Sequence, residues 1–281
     1  MAQKVGGQAV FEGVMMRGDT RWAVAVRTPA GDIDVHSDVV PTWGLRWKRV
    51  PVLRGLIAIA HAVPIGARAF RWSMAKGLRP APRRSTSVLR IAGLLAAVLL
   101  VPPALTDRLV GGLHNGWVSG VFENVLTVAV LVGYAAAVGR LAILRTLFEY
   151  HGAEHKAVAA HEAGVAMTPQ AAAHFSTRHV RCGTSLLLVI AVVAAVFSLF
   201  HLPAVVVFPL VAGVAAELQL RAAANVHRSW VRALVRPGLA LQGLTTREPS
   251  PAQLEVAIAA LQAVIVSAAQ PSSVEAVAVP A

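Results

Sequence analysis

The chain has 281 residues, 56% of them hydrophobic and 14% charged, where a soluble domain carries about 25% charged residues. Its net charge is +12, and 22 of its 26 basic residues are arginine. This balance excludes an ordinary water-soluble globule and describes a polytopic membrane protein. Nucleic acid is not an expected partner, because neither a recognition helix nor an aromatic–basic RNA motif accompanies the charge.

Residues 1–42 read as a β-rich N-terminal cytoplasmic element. The run Gly6 to Arg17 is followed by the apolar stretch Trp22 to Thr28. Pro29-Ala30-Gly31-Asp32 then gives a turn signal, and Ile33 to Ser37 alternates apolar and polar residues, which together predict a hairpin. Glu12 and Arg17 are candidate polar anchors in the glycine-rich run, with a structural β-turn as the alternative. No charged-then-apolar signal peptide is read in Met1 to Arg21, so insertion is expected to depend on internal spans. Residues 43–87 are basic and amphipathic. Leu53, Leu56, Ile57, Ala60 and Val63 form an apolar stripe among Arg46, Lys48, Arg49, Arg54, Arg68 and Arg71, and Trp43, Trp47 and Trp72 suit a bilayer interface. The segment fits a helix lying on an anionic leaflet, which makes membrane lipid an expected partner. A helix packed on the rest of the protein is the equal alternative.

Residues 88–221 form the expected membrane domain, with four spans at about 88–106, 125–144, 184–200 and 204–220. The last two lie in a run from Cys182 to Ala216, 35 residues without Asp, Glu, Lys or Arg. As one helix this run would measure about 50 Å against a hydrocarbon core of about 30 Å. His201-Leu202-Pro203 is therefore expected to split it into two short spans or a re-entrant pair. Basic residues gather before the first span, in the loop 145–183 and after the last span, while Asp107 to Asn124 holds only Arg108. Both termini and the 145–183 loop are thus expected to be cytoplasmic. In the C-terminal cytoplasmic segment, 222–268, Ser250-Pro251-Ala252-Gln253 predicts a capped helix start. Leu254, Ile258, Leu261 and Ile265 give that helix one apolar face. Residues 269–281 read as a flexible tail.

The chemistry concentrates in His151-Gly152-Ala153-Glu154-His155. On a helix, residues i, i+3 and i+4 share a face. Two imidazoles and a carboxylate would meet there, the inverted form of a zinc-hydrolase motif. With ten His in the chain, roughly 0.01 such pentads are expected by chance. His151 and His155 are the expected ligands of a divalent metal, zinc first, and Glu154 is the expected base. A pair of histidines hydrogen-bonded at a helix end is the plainer alternative. Catalytic zinc usually takes three protein ligands. Glu217, a carboxylate in the last span, is the leading third ligand, since a buried acid there needs a partner; an i,i+4 ion pair with Arg221 is the other reading. His179 and Cys182 form a second cluster, in which a thiolate beside Arg181 could ligate metal or act as a nucleophile; a helix entry with a buried, inert thiol is the other reading. Cys182 is the only cysteine, which excludes an intrachain disulfide.

These stretches together, Gly6 to Arg17, Tyr150 to Lys156, Arg181 to Ser185, Pro237-Gly238-Leu239, Gln242 and Leu244 to Pro249, resemble one bacterial membrane family, the YqhQ family. The likeness runs from about Gly6 to Leu261. It implies metal-dependent enzyme chemistry in the bacterial inner membrane and puts His151, Glu154, His155, His179, Cys182 and Glu12 on family motif positions, with Arg17, Lys156 and Arg181 in the same motifs. Val180 stands where the family usually has proline. The expected protein is mainly α-helical, with metal-dependent hydrolysis of an unspecified substrate as its function. The alternative is a non-catalytic scaffold or assembly factor whose His/Glu cluster is a structural metal site or a polar clasp.

Overall fold

The computed structural model describes residues 3–77, 125–126, 128–130, 132–133, 136–137, 139–197, 200 and 203–269. The expected span at 88–106 and nearly all of the expected tail lie outside the described residues. Four strands, β1 (Gly6–Val10), β2 (Gly13–Arg17), β3 (Arg21–Arg27) and β4 (Ile33–Val39), form an antiparallel sheet in the order β1-β2-β3-β4. The β1–β2 hairpin closes on the pair Val10–Gly13, and the β3–β4 hairpin on Arg27–Ile33 across the expected turn. The sheet is more than a peripheral element, because both of its faces are buried. Along β3 the bulky Trp22, Val24 and Val26 alternate with Ala23 and Ala25, so each set lines one face. The bulky set joins Val10, Met15, Ile65 and Ala69 in one core. The alanines join Val14, Met16, Tyr150 and Leu254 in the other.

Helix α1 (Leu53–Gly77) covers the first face. It buries Ile57, His61, Ile65, Ala69 and Ser73, spaced four apart along a single stripe. The stripe expected from apolarity alone differs, since Leu53, Ala60 and Val63 stay exposed. Close approach decides the outcome: Gly55 lies against Gly213 and Ala216, and Gly66 against Gln8. This helix packs on the sheet along its buried stripe and leaves its other face exposed.

The other face is covered by α2 (Ala142–Glu162) and α7 (Pro251–Ala269). Fully buried Ala153, Ala157 and Ala160 of α2 and Ala257 and Ala260 of α7 share that core. The start of α7 is a reciprocal capping box: Gln253 N–H donates to Ser250 Oγ at 3.3 Å, and Ser250 N–H to Gln253 Oε1 at 2.8 Å. Between α2 and α7 come the short α3 (Pro169–Ala173), α4 (Gly183–Phe197), α5 (Ala204–Ala224) and α6 (Ser229–Gln242).

Among the described residues α4 ends at Phe197 and α5 begins at Ala204, with Pro203 at its N-cap position. Helices α4 and α5 pack through Val193, Val211 and Ala215. Their outer surface is apolar and open, with Val205 80% and Phe208 79% exposed. Among the described residues, two helices, Leu53–Gly77 and Val205–Ala224, are long and apolar enough to cross a membrane. The 15 residues of α4 measure only about 22 Å. The described residues among 125–137 are helical, the chain turns at 139–141, and α2 starts at Ala142. The pentad lies within α2, with Glu154 and His155 buried and His151 partly buried.

Candidate metal centre

Residues His151, Glu154 and His155 share one face of α2, as their spacing requires. With Leu147 and Val158 on the same face, they line a cavity of about 510 Å³ between α2, β1, Ala62 of α1 and the segment 179–184. Each imidazole is held by its Nδ1. His151 Nδ1 donates to the Thr245 carbonyl at 2.8 Å, and His155 Nδ1 donates to the Thr177 carbonyl at 2.6 Å. In the neutral ring this leaves both Nε2 atoms as lone pairs, the tautomer that a metal ligand needs. The Nε2 of His151 sits 3.2 Å from Cys182 Sγ. The ligand atoms of His151, His155 and Cys182 all lie within 4.8 Å of one another.

That donor set fits a divalent ion. Two imidazoles and a thiol converge at a spacing compatible with metal bonds of about 2.0–2.3 Å. Glu154 is only 6% exposed, and its Oε2 stands 3.4 Å from His155 Nε2. A carboxylate facing a lone pair in a buried site repels it unless a proton or a cation lies between them. Cys182 immediately precedes α4, and the backbone N–H of Thr184 donates to its sulfur at 3.4 Å, a contact that complements negative charge on the thiol. The group His151–His155–Cys182 could thus hold a metal ion.

The local sequence explains how these parts meet. A Cβ at Gly152 would stand 2.0 Å from the Arg247 carbonyl oxygen. Only glycine lets the strip Leu244 to Pro249 run against α2, where Arg247 N–H donates to Phe148 O at 2.9 Å and Thr245 reaches His151. Gln242, fully buried, holds the second cluster. Its Oε1 accepts from His179 N–H at 2.9 Å, and its Nε2 donates to His179 O at 2.8 Å and Ser185 Oγ at 2.7 Å. Gly152→Ala is expected to lower stability by about 1–3 kcal/mol and to reduce bound metal, because relief of the clash moves the carbonyl that orients His151. Denaturant midpoints and metal content of the purified variant measure both effects.

The remaining sequence candidates are placed elsewhere. Glu217, expected as the third ligand, gives its oxygens to arginines. Arg54 donates Nε to Oε2 and Nη2 to Oε1, both at 2.7 Å, and Arg221 donates Nε to Oε1 at 2.7 Å. The Arg221 pair read from spacing is present, and Arg54 of α1 joins it. His179 lines the cavity with its ring 5.9 Å from that of His155. Its Nε2 lies 3.2 Å from Glu162 Oε2, however, and its Nδ1 accepts from Arg181 N–H at 3.4 Å. Arg181 bonds Glu162 and the Val5 carbonyl. Lys156 is buried away from the ligands, donating to Ala173 O and pairing with Glu248, each at 2.6 Å. Arg17 donates to Ala58 O of α1. Glu12 sits in the β1–β2 turn with φ 50°, its carboxyl pushed above the ordinary range by burial and then by Glu149. The four candidates Glu12, Arg17, Lys156 and Arg181 do not converge.

Glu162 is a residue that the sequence reading missed, and no motif flags it. Burial opposes its charge, but the His179 hydrogen bond and the Arg181 charge outweigh burial and hold its pKa below 4.5. Its clamp on the 179–181 segment is complete above that value and is lost as pH falls through the depressed pKa. Thermal midpoints should therefore drop more steeply on acidification in the wild type than in Glu162→Gln.

Residues 50–267 match the family described as "Protein of unknown function (DUF1385)". This range contains every candidate ligand and begins after the sheet. The chain is 30% identical over 294 aligned positions to "Uncharacterized protein YqhQ" of Bacillus subtilis (strain 168), covering 90% of this chain and 89% of that protein. No solved structure matches it. With its pentad, its second cluster and the strip that orients His151 all inside the matched range, the chain belongs to the DUF1385 family.

Proposed function

We propose that this protein is a metal-dependent hydrolase of the bacterial plasma membrane, with its site on the cytoplasmic side. The observation that carries the reading is the convergence of two Nδ1-anchored imidazoles and one thiol beside a buried carboxylate. His151, His155 and Cys182 would hold the ion, and zinc suits their mixed nitrogen and sulfur donors. When bound, the ion supplies Lewis acidity toward water and a substrate oxygen. Glu154 lies on the cavity wall with no arginine or lysine among the described residues bonded to it, and in this reading it takes a proton from attacking water and returns it to the leaving group. Thr245 and Thr177 fix the imidazoles through their carbonyls.

The membrane placement in this proposal rests on the outward apolar surface of α4 and α5. Four spans with cytoplasmic termini, as basic residues distribute, would set the site at the inner leaflet. Helix α6 supports an interfacial position there. Trp230 and Leu234 are exposed on it, and Arg228, Arg232 and Arg236 form a basic stripe, a pattern suited to anionic lipid.

A second reading has its own observation. The ligands come from two segments 31 residues apart and are braced by a third, so a structural ion would staple α2 to the 179–184 segment in a non-catalytic scaffold. Glu154→Gln separates the two. A hydrolase keeps its metal and loses turnover by roughly a hundredfold or more; a scaffold keeps both metal and function. Equal, negligible metal in the wild type and in the His151→Ala/His155→Ala variant would refute both readings.

A further inference from the structure

We infer that the cavity beside β1 takes an extended peptide as a fifth strand of the sheet, so that peptide bonds are the substrate class of the site. Cleavage rests on the hydrolase reading; binding does not.

β1 is an edge of the sheet. Its hairpin closes on Val10–Gly13 across a two-residue turn, so alternate residues Val10, Gln8 and Gly6 share the ladder with β2. The N–H and C=O groups of Gly7 and Ala9 then turn to the free side. On that side the outer layers continue past the sheet. Ala62 of α1 and Leu147 of α2 wall the cavity, Val5 to Ala9 form its inner side, and the 179–184 segment closes it. Among the described residues the sandwich thus has a cavity for one more strand beside β1, while β4 forms the opposite edge.

The two edges differ in chemistry. β4 carries Asp34 and Asp38, charges of the kind that protect an edge from pairing. β1 reads Gly-Gly-Gln-Ala-Val, with no charge, proline or bulge to repel a partner. Its accessible length, Gly6 to Ala9, offers about 13 Å of backbone, a span for about four peptide residues. Pairing through main-chain groups tolerates many side chains.

The added strand would pass the reactive groups. Glu154 packs against the face of Gly7, its Cγ 2.8 Å from where a Cβ would stand, and it lines the same cavity as Gly7 and Ala9, so a chain bonded to that edge shares the cavity with Glu154. In hydrolysis the water oxygen bonds to the peptide carbonyl carbon and the C–N bond breaks. One water proton, carried by Glu154, leaves with the amine, and the other stays with the new carboxyl group.

The test uses the full chain in detergent micelles with two probes: a randomised mixture of acetylated octapeptides, and p-nitrophenyl acetate as a small ester. Amide hydrogen exchange at Gly7 and Ala9 reports binding. The octapeptides should slow that exchange tenfold or more; the same mixture N-methylated at every amide should not. Ala62→Trp, which fills the slot away from the ligands, should abolish the protection while keeping its metal content, which also shows that the variant is folded. Absence of protection in the wild type, or equal protection by the N-methylated mixture, overturns the inference. Ester turnover that depends on Glu154 without peptide protection would overturn the strand and leave the hydrolase standing. Peptide protection with neither probe hydrolysed would do the reverse.

Discussion

Cys182→Ala is expected to lose the bound ion and, with it, the protein's response to chelators. Its sulfur is the one donor that comes from outside α2, 3.2 Å from His151 Nε2. Without it the centre keeps two imidazoles, one fewer protein ligand than catalytic zinc sites use. Affinity should fall by about a hundredfold or more, exceeding the effect of losing an outer hydrogen-bonding partner. The stability consequence follows by mass action. An ion present at about a hundred times its dissociation constant stabilises the folded chain by about 2.7 kcal/mol. A chelator should therefore lower the thermal midpoint of the wild type by several degrees and leave Cys182→Ala unmoved. Metal content by elemental analysis, with paired melting curves, checks both parts. A variant that retains full metal and the chelator shift would place the ligands elsewhere. Cys182→Ser separates loss of the sulfur from loss of volume, and should resemble the alanine variant in metal content.

What the sequence disclosed follows from how local each signal is. The pentad's i, i+3, i+4 spacing was enough to put two imidazoles and a carboxylate on one helical face. The capping box at Ser250–Gln253 and the hairpin turn before Ile33 are likewise written in a few adjacent residues. The second cluster was half legible. His179 and Cys182, three apart, read as a pair, yet the chain turns His179 toward Glu162 and Cys182 toward His151. The anchors of the imidazoles are the carbonyls of Thr177 and Thr245, and a carbonyl carries no residue-specific signal. In α1, apolar periodicity selected Leu53, Ala60 and Val63, whereas packing selected the face on which glycine and alanine admit close neighbours. The sheet's double burial showed in the near-continuous apolar run Trp22 to Val26, but it takes the covering helices, distant in sequence, to make that burial visible.

Glu217 gives the sharpest test of where sequence reasoning ran out. The rule that an acid in an apolar span needs a partner was sound, but the main partner, Arg54, lies 163 positions away. Glu217 is 4% exposed, while the Arg54 side chain is 39% exposed. Arg54→Ala removes two hydrogen bonds from a buried carboxylate and leaves it Arg221 and the Val52 backbone N–H. Breaking a fully buried pair costs about 3–5 kcal/mol; the exposure of Arg54 brings the expected loss to about 2 kcal/mol. The Glu217→Leu/Arg54→Leu double variant should recover most of that loss, because no charge is then stranded. In all of these variants metal stoichiometry should stay at the wild-type level, since Glu217 is outside the group formed by His151, His155 and Cys182. Loss of metal in Glu217→Gln, with the fold intact, would restore it as a ligand and displace the present assignment. The pair also has a use that a metal ligand would not: it fixes α1 against α5 two helical turns from Ala62, which walls the cavity beside β1. Arg54→Ala should therefore weaken octapeptide protection of Gly7 and Ala9 while leaving bound metal unchanged, an outcome that ties the far ion pair to the substrate slot through the position of one helix.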